Sequence, residues 1–130
     1  IGVPEDSNYV RLSPDKGRYE INPVNEMLNA FRTGTVRNAI HTKPYMHNGV
    51  FQNLDQVIDL YNAGGGAGKN LVVDNQTLSP DSLNLTQEEK NNLMAFIQSL
   101  NENIIFEVPP PALPVSSDKN LNKRKVGGEY

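Results

Sequence analysis

A chain of 130 residues that is 37% apolar and 7% aromatic is one domain's worth of sequence with material for only a thin core. A formal charge of −3 and a sequence pI near 5.3 give no basic face of the kind that nucleic acid selects, and the absence of cysteine excludes disulfides, thiolate metal sites and thiol nucleophiles. No apolar run approaches the roughly 20 residues that span a bilayer. The chain opens at Ile1 with no methionine and no secretory leader pattern, which leads to the expectation that it is a piece of something longer.

In chain order, "IGVPEDSNYVRLSPDKGRYE" has no sustained period and is broken by Pro4, Pro14 and Gly17, so an irregular segment lying over other elements is expected. "NPVNEMLNAF" offers Asn22 as N-cap and Pro23 as first helical residue, with Met27, Ala30 and Phe31 on one face, and predicts a short helix stopped by Gly34. Further on, "NLDQVIDLYNAGGGAG" predicts a capped helix. Asn53 and Gln56 match a capping box, Leu54, Val57, Ile58 and Tyr61 share a stripe, and the glycines from Gly64 supply a left-handed stop. A polar connection leads to "LTQEEKNNLMAFIQSL", where Thr86 and Glu89 repeat the capping box and Leu93, Phe96, Ile97 and Leu100 form the apolar stripe. From Asn101 the proline run favours an extended, polyproline-like tail, and the basic cluster "NKRK" at Asn122 to Lys125 reads as solvated. The fold class is therefore all-α, built of short helices and long loops. Loops of this length imply that a cofactor or another segment completes the core.

Two patterns invite a chemical reading and fail. "AGGGAGKN" has Ala63 where a phosphate-binding loop needs its first glycine, Asn70 where it needs a hydroxyl, and a helix where it needs a preceding strand. His41 and His47 are the only histidines; with six positions and a proline between them, they cannot form the i, i+4 pair by which a helix presents two imidazoles to zinc.

Read together, "FRTGTVRNAIHTKPYMHNGVFQNLDQVIDLYNAGG", "NIIFEVPPPALP" and "LTQEEKNNLMAFIQSL" resemble the C-terminal haem domain of the bacterial dihaem cytochrome c peroxidase family, which includes the enzymes that mature methylamine dehydrogenase. The likeness runs from about Ile1 to Leu100, leaving residues 101–130 as the extended tail. The resemblance implies a cytochrome c-like haem domain portion holding haem c and calcium. It places Tyr61 at the position of the distal axial ligand of the C-terminal haem, where most family peroxidases have methionine and the maturation enzymes have tyrosine. It gives Thr42 and Pro44 as backbone-carbonyl ligands of calcium, and His47, Met46 and Arg37 as pocket residues. A phenolate favours ferric iron where a thioether favours ferrous.

Three features depart from the family pattern. The C-x-x-C-H motifs that attach haem are absent, so the haem-bearing segment must lie upstream in the same protein or in a separate Cys-containing chain. The N-terminal peroxidatic domain is absent too, and Gly34 replaces a proline. The resemblance also implies a redox partner protein and a periplasmic or otherwise exported location. The rival expectation is a haem-free structural or interaction module derived from the same fold.

Overall fold

The computed structural model describes residues 1–102 and 113–123. Among them the chain is helix and loop, with pairing of strand type limited to isolated bridges, so the all-α expectation holds in this coarse form. The proline run and the last two residues of the basic cluster lie outside the described residues.

The opening segment is irregular, as expected, and folds back on itself. Ser13 donates its amide to the Val3 carbonyl at 2.9 Å and Glu5 donates to Arg11 at 2.8 Å, which buries Gly2, Val3 and Pro4. The helix expected from Asn22 is not formed. Only a single 3-10 turn, Asn25–Met27, appears, entered from extended Val24 and ended by extended Leu28 and left-handed Asn29. Three asparagines within these ten residues favour local turns over helix propagation. The backbone here is also claimed from elsewhere: the Ala30 carbonyl accepts from Arg18 at 2.9 Å and the Asn25 carbonyl from the Asn75 side chain at 2.5 Å.

Helix α1, Leu54–Asn62, starts at the predicted capping box, the Asn53 side chain accepting from the Gln56 amide at 3.0 Å. Its buried face is Leu54, Ile58 and Leu60, whereas Tyr61 is exposed. Gly64, at φ 87°, turns the chain into the short helix α2, Gly65–Gly68. The left-handed stop is thus as expected, but the following glycines have a different cause. A Cβ on Gly66 would sit 2.6 Å from the Gly2 carbonyl oxygen, so the N-terminal segment crosses here too closely for any side chain.

Helix α3, Gln87–Ser99, begins at the second capping box, with Thr86 donating its amide to Glu89 at 2.8 Å and Glu89 returning its amide to the Thr86 hydroxyl at 3.3 Å. It packs against α1 and against the 3-10 turn Ala39–His41, and Lys90 reaches Asp59 of α1 at 2.7 Å. The predicted stripe divides: Ile97 and Leu100 are half-buried, joined by Met94, while Leu93 and Phe96 stay exposed. Among the described residues the buried apolar core is accordingly small, made chiefly of Val3, Phe51, Leu54, Ile58 and Leu60 with Pro4 beside them.

Candidate functional site

The stretch from Ala39 to Phe51 holds both histidines and is closed at its base by a two-way backbone bridge. Tyr45 donates to the Phe51 carbonyl at 2.7 Å and Phe51 returns its amide at 3.5 Å. Left-handed Met46 and Gly49 turn the chain between them, and the Tyr45 hydroxyl donates to the Ala39 carbonyl at 2.9 Å. Phe51 is only 1% exposed and Asn53 opens α1, so the loop feeds into the helix through a buried anchor. The backbone path from Pro44 to Tyr61 is therefore a single braced unit.

Tyr61 lies in the last turn of α1 with 44% of its surface exposed, although its stripe-mates Leu54 and Ile58 are buried. Among the described residues its hydroxyl has no hydrogen-bond partner, and its carbonyl accepts from Gly64 at 3.1 Å. The apolar stripe leaves the core at this residue and ends in a phenol that no other described residue engages.

His47 faces the N-terminal segment. Its Nε2 lies 3.1 Å from the Ser13 hydroxyl, and its ring stacks on Phe31 with 3.7 Å between centroids and 12° between planes. Burial pushes the imidazole pKa below its ordinary value, and nearby Asp15 opposes that shift. Ser13, Asp15, Phe31 and His47 line a depression with Ile1, Gly2 and Val3 that has room for about one water molecule.

Met46 is half-buried in the same loop, and Thr42 and Pro44 are exposed. The Thr42 hydroxyl donates to the Ala39 carbonyl at 3.1 Å, and the carbonyls of Thr42 and Pro44 accept no hydrogen bond among the described residues. Arg37 stands outside the loop, ion-paired with Glu102 just beyond α3. The structure thus gathers Thr42, Pro44, Met46 and His47 on one loop, connects that loop to Tyr61, and sets Arg37 apart. Among the described residues no three His, Asp or Glu side chains converge to hold a metal. Sequence reading did not find Ser13 and Phe31 as partners of His47. Ser13 belongs to a segment without period, and Phe31 was assigned to the face of a helix that does not form.

No protein-family model matches the chain. Among curated proteins it is 36% identical over 122 residues to cytochrome-c peroxidase IdrP2 of Denitromonas iodatirespirans, a match covering 94% of this chain and 30% of that protein. It is 38% identical over 113 residues to cytochrome-c peroxidase IdrP1 of Pseudomonas sp. (strain SCT), covering 87% and 28% respectively. It is 33% identical over 118 residues to methylamine utilization protein MauG of Methylophilus methylotrophus, covering 88% and 30%. Among solved structures, a crystal structure of a MauG-like protein associated with microbial copper homeostasis matches with a TM-score of 0.57 and 31% identity, over 68% of this chain and 30% of that one. The chain belongs to the dihaem cytochrome c peroxidase family. It spans no more than 30% of the length of these curated relatives.

Membership in the peroxidase family implies haem c, which this cysteine-free chain cannot attach by itself. The residues present fit such a group on their own chemistry. Phenolic oxygen is a haem-iron ligand, and exposed Tyr61 offers one without a hydrogen-bond partner among the described residues. Apolar side chains are exposed on the neighbouring elements as well: Leu93 and Phe96 on α3, and Ile40 on the turn that packs against it.

Proposed function

We propose that this chain forms the distal, axial-ligand side of the electron-transfer haem in a dihaem peroxidase-like oxidoreductase, with Tyr61 as the iron ligand. One observation carries the reading: a tyrosine at the end of a largely buried stripe that is itself 44% exposed and whose hydroxyl has no hydrogen-bond partner among the described residues. Residues 1–100 would make up the distal part of the haem domain and residues 101–130 a tail. The haem-bearing segment would come from upstream in the same protein or from a Cys-containing partner chain, with electrons supplied by a redox partner in the periplasm or another exported compartment.

The bound haem would supply the one-electron chemistry, and this chain would supply orientation and electronics. Tyr61 would hold its phenolate oxygen toward the metal. Coordination to a cation is what would hold a phenol in its anionic form at neutral pH. Met46 and His47 would wall the crevice, and the carbonyls of Thr42 and Pro44, free of hydrogen bonds among the described residues, would offer calcium the hard oxygen ligands it prefers. Arg37, already paired with Glu102, would act at the edge of the pocket and not on the iron side.

The test is Tyr61→Phe in the haem-bearing protein. The substitution removes only the hydroxyl, so the spectrum of the C-terminal haem is expected to lose its tyrosinate-ligated form, and an unchanged spectrum refutes the assignment. The calcium assignment predicts a melting temperature that rises with added calcium and falls with chelator; no response to either removes it. The second reading, a haem-free module, is favoured by the absence of cysteine. A copurifying Cys-containing chain, or a c-type Soret band in purified material, would exclude it.

A further inference from the structure

The connection between α2 and α3 contains one side chain that uses its full hydrogen-bonding capacity. Gln76 Oε1 accepts from the amides of Gly2 and Ala67, each at 3.2 Å, and its Nε2 donates to the carbonyls of Gly64 at 2.9 Å and Leu78 at 2.8 Å. An uncharged amide has two donors and two acceptor sites, and all four are taken here by backbone groups from separate turns of the chain. The glycine run accommodates this side chain: a Cβ on Gly65 would lie 2.7 Å from Gln76 Oε1. Gly64 in turn donates its amide to the Tyr61 carbonyl at 3.1 Å. A continuous path of hydrogen bonds and one residue's backbone therefore runs from the Gln76 amide to the residue proposed as iron ligand.

The last turn of a helix frays first, because its final carbonyls have no partner within the helix. Tyr61 sits in that turn and is 44% exposed, so packing fixes the direction of its side chain only in part. We infer that Gln76 is a positioning residue for Tyr61, holding the Gly64 turn so that the phenol keeps one direction. The inference rests on the ligand reading above.

Two substitutions in the haem-bearing protein test it. Gln76→Glu keeps the oxygens facing Gly2 and Ala67 but loses both donated bonds, while Gln76→Met keeps the length and loses all four. The expected result is a mixture of tyrosinate-ligated and other spectral forms in Gln76→Glu, and a larger loss of the tyrosinate form in Gln76→Met. Amide exchange over residues 64–67 should be faster on the order of tenfold, with helix content retained. Tyr61→Phe is the reference. If it changes the spectrum while Gln76→Glu and Gln76→Met both keep the wild-type form, the role of Gln76 is overturned and the ligand reading stands. If Tyr61→Phe itself changes nothing, the ligand reading fails and the positioning role fails with it.

Discussion

The contact between His47 and Ser13 carries a pH dependence whose sign follows from the surroundings. The imidazole stacks on Phe31 within hydrogen-bond reach of a buried hydroxyl, although the residue as a whole is exposed; this partial burial disfavours its charged form in the folded chain and sets its pKa below the unfolded value. The unfolded state then binds more protons as pH falls. The stabilisation from this group is complete above about pH 6.5 and is lost as pH drops through that value toward the folded pKa. Asp15 pulls the other way and limits the size of the effect. Thermal melts between about pH 7.5 and pH 5 should show the wild type losing stability across this window. His47→Gln, which can still bond Ser13 but cannot titrate, should flatten that component. An identical pH slope in the two proteins would mean that His47 is already solvated in the fold.

At the scale of elements, the two α-helices legible in the sequence are those whose starting signal is a side chain reaching its own first turn. Asn53 with Gln56, and Thr86 with Glu89, close their boxes within four residues, so neither depends on what the rest of the chain does. The segment from Asn22 departs from its expected helix for the complementary reason. Its backbone is bonded to Arg18 and to the Asn75 side chain, one of them fifty positions away, and no local pattern encodes such partners. Gln76 was equally hidden, because a glutamine in a polar connection shows nothing of the four backbone groups that surround it. The Tyr61 position could be found in the sequence only through the likeness to a family; its stripe spacing alone reads as ordinary packing. Because α3 has no buried residue, its cap should carry a large share of its stability. Thr86→Ala is expected to cost about 1 kcal/mol in chemical denaturation. The Glu89 carboxylate accepts from the Thr86 amide at 2.8 Å and from the Thr86 hydroxyl at 2.9 Å, and these two bonds hold it below its ordinary range, so the cap contributes fully above about pH 4.5 and weakens as pH falls through the lowered value. Thr86→Ala should therefore narrow the difference in stability between pH 6 and pH 3.5.

For the molecule as a whole, the relevant imbalance among the described residues lies between a small core of buried apolar side chains and large apolar residues left in solvent. Several of the exposed ones cluster on elements in mutual contact: Tyr61 on α1, Leu93 at 41% and Phe96 at 58% exposure on α3, and Ile40 at 37% on the adjoining turn. Apolar surface of this kind, on a chain that spans 30% of its first curated relative, is what a larger protein would cover. The argument predicts that two apolar truncations will behave differently in the 130-residue chain. Leu60 has no exposed surface, so Leu60→Ala should cost about 2–5 kcal/mol through lost burial and the cavity left behind. Phe96→Ser removes a larger side chain, yet it should change the chain's own stability by no more than about 0.5 kcal/mol, because little contact is lost. In the haem-bearing protein the same Phe96→Ser should become costly, since the face would then be covered. A Phe96→Ser penalty that is large in the chain alone would show that the α3 face is buried by the chain's own residues. A small penalty in both settings would show that nothing packs on it.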